Sequence, residues 1–207
     1  DENCHLARFE KALRYYSRCL EFNPNFVPGW LGQVRMFIEI GEYKEAILWA
    51  DKALEIFHDL GDLLAAKAVA HVRLGHRLHA FEFSDAALTQ RNPTPYVWMS
   101  RGEVMLACRR RKEEYCFAQA VGLASRDWFV RLSIARIYLF YRRYSVGLPY
   151  AQAALETRSD APFVWYVVAE CQKGLGMRER ARESFREALR LDGTFLLASE
   201  SLHDLEG

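Results

Sequence analysis

No run in this chain approaches the roughly 18 consecutive apolar residues that a membrane-crossing helix requires, so insertion by a helical span is not expected. No charge of one sign dominates. The 28 Lys+Arg against 27 Asp+Glu leave a formal net charge of +1. Bulk charge therefore predicts neither nucleic acid nor an acidic membrane surface as a partner. There is no C-x-x-C pair among Cys4, Cys19, Cys108, Cys116 and Cys171, and their number is odd. That argues against a disulfide framework and favours a reducing, cytoplasmic setting. No Gly-rich phosphate loop, H-E-x-x-H or G-x-S-x-G is present, and the acidic residues show no evident buried pair. These absences point away from an enzyme, a metal or a cofactor. Asp1-Glu2-Asn3-Cys4-His5 is not a signal peptide, and the chain does not begin with Met. The expectation is a processed form or an excised piece of a parent that continues before Asp1.

What is present is a period. Trp30, Leu64, Trp98, Arg131 and Trp165 lie 34, 34, 33 and 34 residues apart. Ala46, Ala80, Glu113, Gly147 and Ala181 follow with the same gaps, and so do Ala53, Ala87, Ala120, Ala154 and Ala188. Three registers shifting together indicate one supersecondary unit repeated along the chain. The hydrophobic content of 51% excludes disorder.

One unit reads as two helices. From Pro28 to Ile40 the apolar residues Trp30, Leu31, Val34, Phe37 and Ile38 recur at helical steps. Gly41 suits the left-handed end of that helix. Glu42 and Glu45 suit the start of a second helix, which carries Tyr43, Ala46, Ile47, Ala50, Ala53, Leu54 and Phe57 on one side. The alanine series marks close crossings, filled by large partner side chains. A further series, Val34, Ala68, Gly102, Ala135 and Ala169, keeps the first helix slim. Gly41, Gly75 and Gly176 mark turns inside hairpins, and Pro24, Pro28, Pro93, Pro95 and Pro162 cluster at the joints between them. Cys19 continues the alanine series backwards and is expected to be a small buried residue.

Trp, a small residue four further on, a turn glycine, Tyr, two alanines seven apart and a proline together resemble the tetratricopeptide repeat. The best copies are Trp30–Gly41–Tyr43–Ala46–Ala53 and Trp165–Ala169–Gly176–Ala181–Phe185–Ala188. The resemblance implies an all-α, right-handed α-solenoid of stacked antiparallel helical hairpins. It spans 1–207 as a single array: a partial repeat at 1–26, repeats at 27–60, 61–94, 95–127, 128–161 and 162–194, and a capping or seventh-unit helix at 195–207. Some units depart from the pattern. One has Leu64 and His71 at aromatic positions, the next is one residue short between Trp98 and Glu113, and its turn reads Arg109-Arg110-Arg111-Lys112. The following unit has Arg131 in the Trp register, with Trp128 three residues earlier.

The resemblance also implies that first helices line a groove that takes a peptide or helix of another protein. In register, the groove positions include Leu31, Arg35, Ile38, Arg73, Tyr96, Met99, Glu103, Phe129, Leu132, Arg136, Phe140, Phe163, Tyr166 and Glu170. Tyr96, Met99, Phe129, Leu132, Phe163 and Tyr166 are expected to form one apolar patch for an apolar or amphipathic segment. The alternative is that adjacent first helices, or a terminal helix, bury these groups. No asparagine falls in the groove positions, so the clamp for a terminal carboxylate found in some family members is not expected. Arg109, Arg110, Arg111, Lys112, Arg142 and Arg143, with His76, Arg77, His79, Arg178, Arg180 and Arg182, are expected to form a basic ridge along the turns, suited to an acidic partner or phosphate groups. Loop charges of this kind are also commonly just solvated. His76 and His79 have metal-ligand spacing, but His71 lies on another helix, leaving too few ligands for a metal site.

Three functions fit. The first is a non-catalytic protein-interaction scaffold. The second is a regulatory or substrate-recruiting module of a larger enzyme or signalling protein. The third is a self-associating scaffold, a homo-oligomer that light scattering at two concentrations would reveal.

Overall fold

The computed structural model describes residues 9–206, and the readings of Asp1–His5, including Cys4, lie outside the described residues. Among these residues the elements are all helices: α1 (Phe9–Phe22), α2 (Val27–Glu39), α3 (Tyr43–Ile56), α4 (Gly61–Arg73), α5 (Arg77–Thr89), α6 (Pro95–Ala107), α7 (Glu113–Leu123), α8 (Trp128–Phe140), α9 (Tyr144–Thr157), α10 (Pro162–Gly174), α11 (Arg178–Leu191) and α12 (Leu196–Glu206). The all-α hairpin architecture expected from the period is borne out. Contacts group the helices into two compact units, α1–α7 and α8–α12.

The helix ends follow from local chemistry. Pro28, Pro95 and Pro162 occupy first-turn positions, where the missing N–H costs nothing. Thr94 accepts a hydrogen bond from the Val97 N–H, and Asp127 accepts one from the Phe129 N–H, so these two residues cap α6 and α8. Every hairpin turn closes in one way. A residue with positive φ donates its N–H to the carbonyl three residues back, and the next residue donates to the carbonyl five residues back. The pairs are Gly41→Ile38 with Glu42→Phe37, Gly75→Val72 with His76→His71, Arg109→Leu106 with Arg110→Met105, Arg142→Leu139 with Arg143→Tyr138, and Gly176→Lys173 with Met177→Gln172. The left-handed position is glycine three times, with φ from 75° to 86°, and arginine twice, Arg109 at 54° and Arg142 at 55°.

In the first unit each first helix packs on its own second helix and on the next first helix: α2 on α4, and α4 on α6. In the second unit α8 packs on α10 in the same manner. The small-residue registers sit at the crossings. Ala46, Ala53, Ala80, Ala87, Ala120, Ala154, Ala181 and Ala188 are all buried. An added Cβ at Gly102 would lie 2.4 Å from the buried Phe117 ring, so only glycine admits that ring. Trp30 and Trp165 anchor the joints, donating their indole N–H to the carbonyls of Pro24 (2.7 Å) and Ser159 (2.8 Å). Cys19 is exposed, which corrects the expectation of burial. Burial of α1 instead runs through Ala12 and Leu20.

Candidate functional site

The groove positions of the first unit form a polar ladder between successive first helices. Arg35 on α2 donates to Asp62 on α4 at 2.7 Å and lies 3.7 Å over the Tyr96 ring on α6. Asp62 also accepts from the Thr94 hydroxyl at 2.9 Å. Further along the same seam, Arg73 on α4 grips Glu103 on α6 through two bonds, of 2.7 and 3.3 Å. Glu103 is 2% exposed, so this pair is inside the protein. Burial disfavours the Arg73 charge, but the field and hydrogen bonds of Glu103 outweigh it and hold the guanidinium above its ordinary value. The Tyr96 phenol is pushed up by burial. Sequence reasoning placed Arg35, Arg73 and Glu103 on this face but missed their pairing, since the partners lie 27 and 30 residues apart.

The expected apolar patch is not an open surface. Ile38, Met99, Leu132 and Phe163 are buried, and Tyr96, Phe129 and Tyr166 are half-buried. The physical reason is that each first helix has a first helix beside it, and the apolar positions fill the seam. At the carboxyl end α12 and the loop before it cover α10. Phe195 meets Phe163 and Tyr166 edge-on, with ring centroids 6.3 and 5.4 Å apart, and Ser201 donates to Glu170 at 2.7 Å. Burial pushes the Tyr166 phenol up to about 12. Arg136 lies over the Phe163 ring at 5.2 Å. Leu31 is half-buried, and Phe140 remains exposed at the end of α8.

The turn cations are solvent-facing. Arg109, Arg110, Arg111 and Lys112 are exposed in the first unit, and Arg142 and Arg143 in the second. Arg182 is not available in the same sense, because it bonds Glu179 and the Leu205 carbonyl. A depression of ≈ 380 Å³ adjoins the first of these turns, lined by Phe81, Met105, Arg110, Arg111 and Lys112.

His71, expected to be apart from His76 and His79, in fact meets both. Its Nδ1 lies 3.4 Å from that of His76, and its ring stacks 5.1 Å from His79 and 5.3 Å from Phe83. Burial, then the fields of His79, Lys67 and His76, lower its pKa to about 4. No group of three His, Cys, Asp or Glu is placed to hold a metal ion among the described residues. Burial pushes the Cys171 thiol up to about 12 and raises that of Cys116, so neither is poised as a nucleophile. Among the described residues, no helix is long and apolar enough to cross a membrane.

Comparison with known proteins agrees with this geometry. Residues 164–195 match the family model of the tetratricopeptide repeat. The BBSome complex member BBS4 of Bos taurus is 22% identical over 198 residues, covering 88% of this chain and 36% of that protein. The chain thus spans about a third of that relative's length. The thermophilic tetratricopeptide repeat protein TTC0263 of Thermus thermophilus superposes with a TM-score of 0.64 at 18% identity, covering 86% of this chain and 97% of that one. A tetratricopeptide repeat protein of Parabacteroides merdae does so with a TM-score of 0.62 at 15% identity, covering 99% and 80%.

Proposed function

We propose that this chain, which is built of tetratricopeptide repeats, is a non-catalytic scaffold that holds a partner polypeptide on the face made by its first helices. One observation carries the reading. Within each unit, first helices lie beside first helices, so their outward positions form a continuous face. In the first unit that face presents Leu31, Arg35 and Tyr96, none fully buried, with Arg35 held by Asp62 and lying over the Tyr96 ring. In the second it presents Phe129, Arg136 and the exposed Phe140. A partner would gain aromatic and guanidinium contacts, the types that dominate binding energy. Because Met99, Leu132 and Phe163 are buried, the proposed contact surface is mixed rather than a purely apolar trough.

The bovine relative is by name a member of a multi-protein complex, and membership of such an assembly is the form of scaffolding proposed here. The chain covers only 36% of that relative, which favours a recruiting module within a larger protein as the second reading. Site-specific photo-crosslinking tests the face. A crosslinker at Leu31 or Phe140 should trap the partner, and one at Leu48 or Tyr115 on the second helices should not. Trapping from the second helices alone would overturn the assignment.

A further inference from the structure

The turn between α6 and α7 differs from the other four hairpin turns in ways that converge on one spot. Cys108–Lys112 separate α6 from α7, whereas Ile40–Glu42, Leu74–His76, Tyr141–Arg143 and Leu175–Met177 suffice in the others. The repeat is nonetheless one residue short, so the first turn of the second helix is replaced by loop. Arg109 holds the left-handed position with φ of 54°, a conformation that penalises any side chain beyond glycine. Arg109, Arg110, Arg111 and Lys112 are all exposed, and none has a carboxylate within ion-pair distance among the described residues. Glu113 and Glu114 follow directly, but they open α7, where acidic groups suit the helix terminus. Beside the cations lies the ≈ 380 Å³ depression, with Phe81 and Met105 supplying apolar wall. Phe81 is held from below by Ala68, Val72, Ala80 and Val104.

Four adjacent like charges, none in an ion pair, repel one another, and the neighbouring Glu113 and Glu114 offset that only in part. The left-handed arginine is shared with Arg142, so what singles out this turn is its longer loop, its unpaired cations and the adjoining depression. We propose that this turn, with Phe81 and Met105, binds a short acidic segment of a partner polypeptide. The segment carries several Asp or Glu residues around one aromatic or aliphatic side chain. The carboxylates meet Arg110, Arg111 and Lys112 in charge-assisted bonds, and the apolar side chain sits against Phe81. The apolar wall selects a peptide over a free phosphate, which has no use for it. The proposal rests on the scaffold reading but concerns a different surface from the first-helix face.

The test is fluorescence anisotropy with a synthetic acidic peptide centred on phenylalanine. Wild type should bind it, with affinity falling as salt rises from about 0.05 to about 0.5 M. R110E/R111E should weaken binding by about tenfold or more, with an unchanged circular dichroism spectrum, and R110A/R111A should weaken it less. Replacing the central phenylalanine of the peptide by alanine should cost a further several-fold. Equal binding of wild type and R110E/R111E, or indifference to the peptide's phenylalanine, overturns the proposal. So does an RNA oligonucleotide or inorganic phosphate that binds as well as the peptide and displaces it. Crosslinking from Leu31 and Phe140 in R110E/R111E separates the two ideas. Retained trapping with no peptide binding by wild type ends the turn site and leaves the scaffold standing, whereas peptide binding without such trapping does the reverse.

Discussion

Arg142→Gly should stabilise the second unit. Arg142 sits at φ 55°, where its own Cβ crowds the backbone, at a cost of about 1–2 kcal/mol. Its side chain is exposed, so removing it forfeits no packing. The two turn bonds, Arg142 N–H to Leu139 and Arg143 N–H to Tyr138, are backbone bonds that glycine keeps. Against the relief stands the greater freedom of glycine in the unfolded chain, about 0.5–1 kcal/mol. The net gain is about 0.5–1 kcal/mol. Gly176 supplies the converse within the same unit. A Cβ there meets nothing within 4 Å, so Gly176→Ala should lose a similar amount through φ alone. Urea unfolding followed by circular dichroism reads both as shifts of the midpoint at constant slope. If the two substitutions move the midpoint in the same direction, or Arg142→Gly lowers it, the left-handed penalty is not what separates these turns.

Gly102→Ala should destabilise the first unit by about 1–2 kcal/mol in chemical denaturation, since overpacking against the buried Phe117 ring outweighs the helical preference of alanine. Glu103→Ala should cost about 3–5 kcal/mol, because it leaves the Arg73 charge buried and unpaired. Replacing both residues by methionine should recover most of that loss in a double-mutant cycle. His71 gives a pH dependence. Its pKa falls from 6.5 to about 4 on folding, so the unfolded chain binds the proton more readily. Its contribution is complete above pH 6.5 and is lost as pH falls towards 4. His71→Phe should flatten thermal stability over that window, and an unchanged slope would show that other groups govern it.

The helices were legible because apolar spacing and the glycine turns report directly on backbone geometry. The turn register is legible in the spacing as well. Arg109 stands 34 residues after Gly75, and Arg142 stands 34 before Gly176, which already places both at the left-handed position. Solvent access along the first helices was not legible. The same period serves a helix whether its outward positions are covered or open, and Met99, Leu132 and Phe163 are buried. The Arg35–Asp62 and Arg73–Glu103 pairs were hidden for a related reason. Each links two repeats and belongs to the motif of neither.

Those pairs give the hairpins an address. The alanine crossings recur in every repeat, so they do not by themselves distinguish one hairpin of the first unit from the next. The charges do. Arg35 is matched only by a successor that offers Asp62, and Arg73 only by one that offers Glu103. Exchanging residues 27–60 with 61–94 would leave the buried Glu103 carboxylate facing no guanidinium. The order of the array is thus written in the polar seam, separately from the apolar code that makes each hairpin fold.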